Sequence, residues 1–470
     1  MDLDKIKKIY FIGIKGVGMT MLAQYLSGLG KEIVGSDVAE VFMTDQVLAG
    51  IGADVRLGFV ATNIPSDADL VVYSTAYNKS NPELAAAMAA RMKVVTYAEA
   101  LALVFNQSHG VAVCGSHGKT TTTAWLGFLL NKVGLSPSVM VGAFVPQFQG
   151  AALLGKSNYL IIEADEYQNK LSWFKPKIAL LNNIDYDHPD FFPDQASYTK
   201  VFADFIAKLP KNGLLVANFD DKLVRELAST SPSKVISYSA LGGEANLVAS
   251  ECKYHAGRQY FKLSLDAEDL GDFSIALLGR HNLANALAVI SLALEVGVDL
   301  LAIRTWIGEF TGTARRLEKM GEYKGAVIID DYAHHPTEIR ATLAAVKEAY
   351  PDKKIKVLFH PHTYSRTKAL LNDFADSFEL ADELIVLEIY ASSRESDNDF
   401  RSASLIEQIE SRRPGLVLDY AEDLQKAEKM LRDSLQEGDL LLLMGAGDVF
   451  RVGERLIQFP ISNFQFPNKS

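Results

Sequence analysis

The segment from Val111 to Thr123, VAVCGSHGKTTTT, constrains the fold and the chemistry of this chain more than any other. An apolar β-branched run ends at Gly115, and helix-forming residues begin after Lys119. A strand, a glycine turn and a helix in this order direct backbone N–H groups and a helix N-terminus at a phosphate chain. In such loops the lysine reaches the β- and γ-phosphates, and the next hydroxyl, here Thr120, binds Mg²⁺. The segment therefore predicts a nucleotide triphosphate site.

The loop is shorter than the full Walker pattern, because Val113 stands where that pattern has its first glycine. It is of the G-[ST]-x-G-K-T kind and runs from Gly115 to Thr120. A glycine-rich helix start that binds no nucleotide is the alternative that the motif leaves open. The position directly after a strand favours the nucleotide.

Length and composition exclude several classes of protein. A chain of 470 residues is expected to hold two to four domains. A net charge of −11 without a basic stripe argues against nucleic-acid binding. Two cysteines, Cys114 and Cys252, form neither a disulfide framework nor a metal cluster. The first residues predict a strand rather than a secretion signal, and no stretch approaches the ~20 apolar residues of a membrane span. We expect a cytoplasmic protein that contacts no membrane.

The first part, residues 1–105, alternates strand and helix patterns and predicts a parallel sheet with crossover helices. Its first turn, from Gly13 to Met19, is similar to a dinucleotide-binding turn, and Asp37 follows at about the distance of a ribose-binding acid. The glycine order is G-x-x-G-x-G rather than G-x-G-x-x-G, so a diphosphate other than that of a dinucleotide stays open.

The second part, residues 106–311, begins with the phosphate loop. Strand-like runs at Tyr159–Glu163 and Ile178–Asn183 end in polar residues, where open α/β sheets bind ligands. Glu163 and His188 are expected to flank the phosphates, because carboxylate oxygen and imidazole suit Mg²⁺ or Mn²⁺. A helix cap or surface acid is the alternative for Glu163, and a loop histidine with satisfied hydrogen bonds is the alternative for His188.

The third part, residues 312–470, again alternates strand and helix patterns, with a helix predicted over Thr367–Phe378. Polar clusters follow three of its predicted strands, at Asp330–Pro336, His360–Arg366 and Gly445–Asp448. Prolines and glycines separate the histidines of these clusters and no cysteine joins them, so a closed zinc site is not predicted.

Taken together, these motifs resemble the Mur ligases, a family that joins an amino acid to the carboxylate of a UDP-sugar with ATP during peptidoglycan synthesis. The resemblance covers nearly the whole chain in the family's order. Its motifs are Gly115–Thr120, Glu163–Glu166, Asn183–His188, Gly279–Asn285 and Thr313–Arg316. It implies an α/β fold of three domains: a Rossmann-like UDP-sugar domain, a central P-loop ATPase-like domain with a mixed sheet, and a Rossmann-like amino-acid domain.

The resemblance also implies the residues of each site. The ATP residues would be Gly115, Ser116, His117, Gly118, Lys119, Thr120, Thr121, His281, Asn282, Asn285, Arg316 and Asp331. The UDP-sugar residues would be Gly13, Gly16, Gly18, Met19, Ser36, Asp37, Ser74 and Thr75. The ligands of Mg²⁺ or Mn²⁺ would be Thr120, Glu163 and His188. The catalytic residues would be Lys119, Arg316, His335 and His362.

Within the family, the motifs Asp330–Glu338, Pro361–Thr367 and Met444–Asp448 resemble the branch that attaches L-alanine to UDP-N-acetylmuramate. The amino-acid residues would be Tyr332, His335, His362, Tyr364 and Arg366. Arg366 is expected to bind the amino-acid carboxylate as a fork-shaped donor. His335 and His362 are the candidate general bases, because the reference pKa of histidine lies near neutral pH.

Three features depart from that branch. Thr363 stands where some members have arginine, and the segment Tyr390–Phe400 lacks the expected loop with proline and glycine. The run Phe191–Pro193 is more similar to the branch that attaches a recycled tripeptide. A tripeptide ligase is therefore the first alternative. A nicotinamide-dependent oxidoreductase and a non-catalytic nucleotide-binding homologue are the others, although the first leaves Lys119 unexplained.

The implied reaction transfers the γ-phosphoryl of ATP to a carboxylate, and an amine then attacks the acyl phosphate. This chemistry needs positioning and charge neutralisation more than a protein nucleophile. The turn at Gly312 and Thr313 is expected to bend as the domains close and exclude water. Whether the chain is a monomer or a homodimer, and whether Lys200 is carbamylated as a lysine is in other Mur ligases, stay open.

Overall fold

The computed structural model describes residues 3–42, 44–391 and 400–457. Within these residues the chain forms three sheets of five, ten and six strands, each flanked by helices. This confirms the predicted class of three α/β domains. Most of the segment Tyr390–Phe400, namely residues 392–399, lies outside the described residues.

The first sheet is parallel, with strand order β3-β2-β1-β4-β5. Its strands are β1 (Lys8–Ile12), β2 (Glu32–Asp37), β3 (Asp54–Leu57), β4 (Leu70–Tyr73) and β5 (Val94–Thr96). Its helices are α1 (Val17–Gly28), α2 (Thr44–Gly50), α3 (Pro82–Ala89) and α4 (Tyr97–Phe105). The sheet's order reverses at β1, and in such sheets the ligand lies beyond the carboxyl end of the strands at that point.

Two local features fix the ends of this domain's elements. Gly13 ends β1 with φ of +83°, and a Cβ there would lie 2.5 Å from the ring of Tyr77, so both the turn and the close approach require glycine. At the other end, Thr96 and Glu99 form a capping box that starts α4.

The second sheet is mixed, with order β15-β14-β13-β12-β11-β10-β6-β9-β7-β8. Its strands are β6 (His109–Cys114), β7 (Ser138–Val145), β8 (Gly150–Leu153), β9 (Tyr159–Glu163), β10 (Ile178–Leu181), β11 (Leu214–Asn218), β12 (Lys234–Ser239), β13 (Leu247–His255), β14 (Arg258–Leu265) and β15 (Glu268–Ile275). Its helices are α5 (Lys119–Lys132), α6 (Gln195–Ile206), α7 (Lys222–Ala228), α8 (Arg280–Glu295) and α9 (Leu300–Ile307). The antiparallel strands β13 to β15 confirm the alternating pattern that the sequence shows before α8.

The phosphate-loop strand lies in the interior of this sheet, between β9 and β10. Residues 111–114 are fully buried, as their continuous apolar run predicts for a parallel strand covered on both faces. Helix α5 is buried between the sheet and α8, and its Trp125 stacks on Phe310 at 5.3 Å between ring centroids. The loop between β6 and α5 is thus carried by two rigid elements.

The third sheet has the order β16-β17-β21-β18-β19-β20, with only β16 antiparallel to its neighbour among the described strands. Its strands are β16 (Glu318–Tyr323), β17 (Ala326–Asp331), β18 (Lys354–Phe359), β19 (Glu383–Leu387), β20 (Val417–Ala421) and β21 (Asp439–Met444). Its helices are α10 (Pro336–Ala349), α11 (Tyr364–Ala369), α12 (Leu371–Ala375), α13 (Ser402–Arg412), α14 (Leu424–Ser434) and α15 (Phe450–Ile457).

The helix predicted over Thr367–Phe378 is wrong in its extent. It begins earlier, at Tyr364, because the Thr363 hydroxyl accepts a hydrogen bond from the Arg366 amide and caps the helix. It also breaks at Leu370, whose ψ of 24° leaves the helical range, so that α11 and α12 are separate. This early start places Tyr364 and Arg366 within a helix rather than in a loop.

The three domains contact one another directly. Helix α1 of the first domain contacts β7 and β8 of the second, and α8 of the second contacts α10 of the third. The exact boundaries at 105/106 and 311/312 stay predictions. Among the described residues, no helix combines the length and the apolar character that crossing a membrane requires.

The core of the third domain is expected to respond sharply to truncation in β21. Leu442 is fully buried in the central strand, so Leu442→Ala should lower the domain's free energy of unfolding by about 2–5 kcal/mol. The exposed Leu380 provides a matched control, and Leu380→Ala should cost within about 0.5 kcal/mol. Native-state hydrogen exchange of the β17 and β18 amides measures both values. Equal losses from the two variants would contradict this core assignment.

Candidate active site

A cavity of about 420 Å³ lies where the phosphate loop and α8 of the second domain meet α10 of the third. The second domain closes one side of the cavity and the third domain closes the other. Many of the predicted ATP residues line it, namely His117, Gly118, Thr121, His281, Asn282, Asn285, Arg316 and Asp331. The structure therefore brings residues from both domains, predicted from separate motifs, around one space.

The phosphate loop approaches the end of β10 too closely to tolerate side chains at its glycines. Gly115 has φ of +126°, and a Cβ there would lie 2.9 Å from the carbonyl oxygen of Asn183. Gly118 has φ of +78°, and its Cβ would lie 2.5 Å from Oδ1 of Asn285. The amide of His117 donates to Oδ1 of Asn183 at 2.7 Å. The loop is therefore held in one conformation by the neighbouring strand end and by α8.

A second cavity, of about 250 Å³, lies between the first and second domains. Its walls include Val17 and Gly18 at the start of α1, and Lys119, Glu163 and Asp165 of the second domain. Adjacent residues of one loop thus line two cavities: Gly118 lines the first and Lys119 the second. A group bound between the domains can meet a phosphate chain at this loop.

Lys119 lies among carboxylates and backbone carbonyls. Its ammonium donates to the carbonyl oxygen of Ser116 at 2.9 Å and to Oε2 of Glu166 at 3.1 Å. Burial alone would lower the pKa of Lys119, but the charges of Glu166, Asp165 and Glu163 outweigh it and raise the pKa. The side chain is therefore a fixed positive charge at the junction of the two cavities.

The predicted metal ligands fall into two adjacent groups. Thr120 donates its hydroxyl to Oε1 of Glu163 at 2.9 Å, so these two lie together as predicted. His188 lies instead with Asp165 and Glu166, and the ligand atoms of these three are all within 4.8 Å of one another. Sequence reasoning did not select the last two as ligands. Their signal was present, because they follow Glu163 directly after β9.

The predicted UDP-sugar residues gather at the carboxyl ends of β1, β2 and β4. Asp37 accepts a hydrogen bond from the Lys15 amide at 2.6 Å, which holds the glycine turn against β2. Ser36 is fully buried and donates to the buried Glu83. Tyr77 was not predicted, yet its ring covers Gly13 and its hydroxyl contacts Asp37 at 3.4 Å. The remaining predicted residues of this group are Gly16, Gly18, Met19, Ser74 and Thr75.

Arg366 is buried and forms an ion pair across the domain interface. Its Nε donates to Oδ1 of Asp187 at 2.7 Å, and its Nη2 donates to Oδ2 at 3.2 Å. Although burial opposes ionisation of Asp187, the Arg366 guanidinium holds the pKa of that carboxyl well below its usual range. Nη1 of Arg366 lies 3.3 Å from Nδ1 of His362, so two of the predicted amino-acid residues are in contact. Asp187 was not predicted as a partner.

His335 is placed differently from a general base. Its Nδ1 lies 3.3 Å from the Thr337 amide as the cap of α10, and its Nε2 contacts the carbonyl oxygen of Tyr186 at 3.1 Å. Burial lowers its pKa. Because both ring nitrogens contact the protein, the structure does not favour His335 as the residue that removes a proton from substrate, and His362 remains the candidate.

Four residues, His117, Asp185, His335 and Glu338, form what we call the interdomain cluster. Nε2 of His117 lies 3.0 Å from Oδ2 of Asp185, and its Nδ1 lies 3.1 Å from Oε1 of Glu338. Burial alone would lower the pKa of His117, but the two carboxylates outweigh it and raise the pKa to about 9. Despite burial, the contacts with His117 and His335 lower the pKa of Asp185 to about 2. A charged imidazolium therefore connects the phosphate loop to the third domain.

Two arginines and one lysine complete the account of the predicted residues. Arg316 lines the larger cavity, with its Nη1 3.8 Å from Oε1 of Glu338. Arg315 points elsewhere, pairing with the buried Asp330 at 3.0 Å. Lys200 is exposed on α6 and pairs with Asp204, which places its ammonium in a surface ion pair.

Comparisons with known proteins agree with this geometry. Three family models match: "Mur ligase family, catalytic domain" over residues 8–109, "Mur ligase middle domain" over 113–293, and "Mur ligase, glutamate ligase domain" over 315–447. The UDP-N-acetylmuramate–L-alanine ligase of Desulfitobacterium hafniense (strain Y51) is 38% identical over 450 residues, covering 96% of this chain and 99% of that protein. The enzyme of the same name from Alkaliphilus metalliredigens (strain QYMF) is 39% identical over 97% of this chain and 98% of its own.

Solved structures give the same result at the level of the fold. The UDP-N-acetylmuramate–alanine ligase of Thermotoga maritima superposes with a TM-score of 0.80 at 26% identity, covering 96% of this chain and 98% of that one. A murein peptide ligase from Psychrobacter arcticus 273-4 superposes with a TM-score of 0.72 at 22% identity, over 96% and 98% of the two chains, a likeness of fold alone.

The charge on His117 predicts a pH-dependent contribution to stability. Its pKa is raised from about 6.5 to about 9, so the contribution is complete below about pH 6.5 and is lost as the pH rises through 9. The stability difference between the wild type and His117→Gln should therefore be larger at about pH 6 than at about pH 10, by on the order of 2 kcal/mol. Urea unfolding at the two pH values measures it.

Lys200→Ala, which removes an exposed ammonium, is the control and should show no such pH dependence between those values. A His117→Gln effect of the same size at both pH values would mean that His117 is neutral in the folded protein.

Proposed function

The chain belongs to the Mur ligase family, and from that premise we propose that it joins L-alanine to the carboxylate of UDP-N-acetylmuramate, with conversion of ATP to ADP and phosphate. Relatives that bear this activity in their names match nearly the whole chain at 38–39% identity. One observation in the structure carries the proposal. The phosphate loop stands between two cavities, one for ATP at the third domain and one for the UDP-sugar at the first.

The chemistry follows from the poor electrophilicity of a carboxylate at neutral pH. Transfer of the γ-phosphoryl group of ATP to the carboxylate gives an acyl phosphate. Attack by the amine through a tetrahedral intermediate then gives the amide and releases phosphate. Negative charge accumulates on the transferred group, and preorganised cations stabilise it. Lys119, at the junction of the cavities, and Arg316, on the wall of the larger one, supply such charges.

The donor set at the junction fits Mg²⁺ or Mn²⁺. Thr120 and Glu163 offer hard oxygen atoms in contact with each other, and Asp165, Glu166 and His188 gather at the adjacent strand end. The carboxylates also create a concentration of negative charge that a cation must offset before a triphosphate binds. A bound divalent ion would neutralise the phosphates and polarise the transferred phosphoryl group.

The third domain provides the amino-acid site. Arg366 offers a planar donor fork for an α-carboxylate, with Tyr332, Tyr364 and His362 as walls. Aromatic and imidazole groups around one arginine leave little room for a long side chain. We therefore infer L-alanine as the preferred nucleophile, with glycine and L-serine behind it, because a pocket that only excludes bulk separates near neighbours by ~1–3 kcal/mol.

The remaining properties are proposed on less direct grounds. Both cysteines carry free thiols, one buried and one exposed, which supports a reducing, cytoplasmic compartment. The partners are the three small substrates, without nucleic acid or membrane, and the chain acts as a monomer or homodimer. The tripeptide-recycling activity is the alternative that a substrate panel separates from this proposal.

The experiment is ADP release by the purified chain with UDP-N-acetylmuramate and a panel of nucleophiles. L-alanine should give the highest kcat/KM, glycine and L-serine should follow within about 10- to 200-fold, and D-glutamate should be inactive. Faster ligation of L-Ala-γ-D-Glu-diaminopimelate than of L-alanine would show that the recycling activity is the correct assignment.

Lys119→Ala is expected to lower kcat by 100-fold or more, on the order of a lost transition-state contact. The fold should remain intact, because Lys119 is at the first turn of α5 and its aliphatic part borders a cavity. Lys200→Ala, which removes an exposed lysine, should retain full activity. Near wild-type turnover of Lys119→Ala would refute the assignment of the ATP site.

Arg366→Ala is expected to raise the KM for L-alanine at least tenfold while the KM for ATP changes little, because the lost fork contacts only the amino acid. The exposed Arg412, which pairs with Asp376 on the surface, provides the matched control Arg412→Ala. Steady-state kinetics with each substrate varied in turn gives both values. A parallel rise in both KM values would show that Arg366 serves domain closure rather than amino-acid binding.

A further inference from the structure

The interdomain cluster contains two imidazoles whose nitrogens face the same carboxylate oxygen. Oδ2 of Asp185 lies 3.0 Å from Nε2 of His117 and 3.4 Å from Nδ1 of His335. All three ligand atoms lie within 4.8 Å of one another. His117 and Asp185 belong to the second domain and His335 to the third, so the group exists only where the two domains meet.

The hydrogen bonds of His335 fix its tautomer. The Thr337 amide can only donate, so Nδ1 of His335 carries a lone pair. The carbonyl oxygen of Tyr186 can only accept, so Nε2 carries the proton. The long contact of 3.3 Å with Thr337 holds this lone pair weakly, and the same lone pair faces Asp185.

His117 is oriented in the same way by a different group. Its Nδ1 lies 3.1 Å from Oε1 of Glu338, a carboxylate that accepts a hydrogen bond from this nitrogen and thereby leaves Nε2 directed at Asp185. Imidazoles that bind metals show this arrangement, in which the distal N–H donates to a carboxylate or a backbone carbonyl. Both histidines of the cluster therefore have the outer partners that a metal ligand needs.

The distances also suit a tetrahedral ion. Zinc bonds to nitrogen and oxygen are about 2.0–2.2 Å long, which at tetrahedral angles separates neighbouring ligand atoms by about 3.3–3.5 Å. The observed separations from Asp185 are 3.0 and 3.4 Å. His117, Asp185 and Glu338 line the larger cavity, so a fourth position is open to water from that side.

We propose that His117, Asp185 and His335 form a binding site for a transition-metal ion of the zinc class, separate from the oxygen-rich site at Thr120 and Glu163 and assembled by closure of the third domain on the second. Two imidazoles and one carboxylate with an open position match the preference of Zn²⁺ rather than Mg²⁺. Binding displaces the proton between His117 and Asp185 into solvent. The ion joins the phosphate loop to α10 and so holds the two domains together.

The test measures binding of Zn²⁺ alone to the full chain by competition with a chelating indicator. A His188→Ala background removes the neighbouring group of Asp165, Glu166 and His188, which is the other place where Zn²⁺ can bind. In this background one Zn²⁺ should bind per chain. Adding His335→Gln or Asp185→Asn should weaken binding at least about 100-fold, whereas His255→Gln, which removes an exposed histidine of β13, should not change it.

Replacing Zn²⁺ by Co²⁺ adds a readout that does not depend on the stability of the variants. The His188→Ala chain with Co²⁺ should show the strong visible absorption of tetrahedral coordination, and X-ray absorption of the zinc form should show two imidazole ligands. An octahedral cobalt spectrum, fewer than two imidazoles, or unchanged Zn²⁺ affinity in both His335→Gln and Asp185→Asn would each overturn the proposal.

Discussion

The close approach of the phosphate loop to the end of β10 is the constraint on which the rest of the site depends. The backbone of Asn183 occupies the space where a side chain at Gly115 would lie, and the Asn183 amide group holds the backbone of His117 on both its N–H and its carbonyl. With the loop fixed in this way, two neighbouring side chains leave it in different directions. His117 reaches the third domain, and Lys119 lines the cavity at the first.

The charges around this loop explain why the three domains must act together. The second domain alone places Glu163, Asp165 and Glu166 around one lysine, an arrangement that repels a triphosphate unless cations are added. Arg316 enters from the third domain and contacts Glu338 at the cavity. Domain closure thus completes the electrostatic environment for phosphoryl transfer, and the bond between Arg366 and Asp187 shows how the amino-acid site is joined to the same strand end.

Local patterns in the sequence predicted the parts of the structure that depend on local geometry. The run Val111–Thr123 predicted strand, loop and helix, and the comparisons confirm the predicted family and three-domain fold. Contacts between domains were not predictable in this way. Arg366 and Asp187 are separated by 179 residues, and His117 and Glu338 by 221. Such pairs depend on how the domains meet, which no local pattern encodes. For the same reason His335 matched a catalytic motif although the fold uses it as a helix cap.

The central claim is that a carboxylate oxygen of the sugar is transferred to phosphate through an acyl phosphate formed at Lys119. The direct measurement uses UDP-N-acetylmuramate with ¹⁸O in its lactyl carboxylate, together with ATP and L-alanine, and analyses the released phosphate by mass spectrometry. The account predicts one ¹⁸O atom in each phosphate and the other in the amide product. Phosphate without ¹⁸O, with amide formed at the usual rate, would contradict the account.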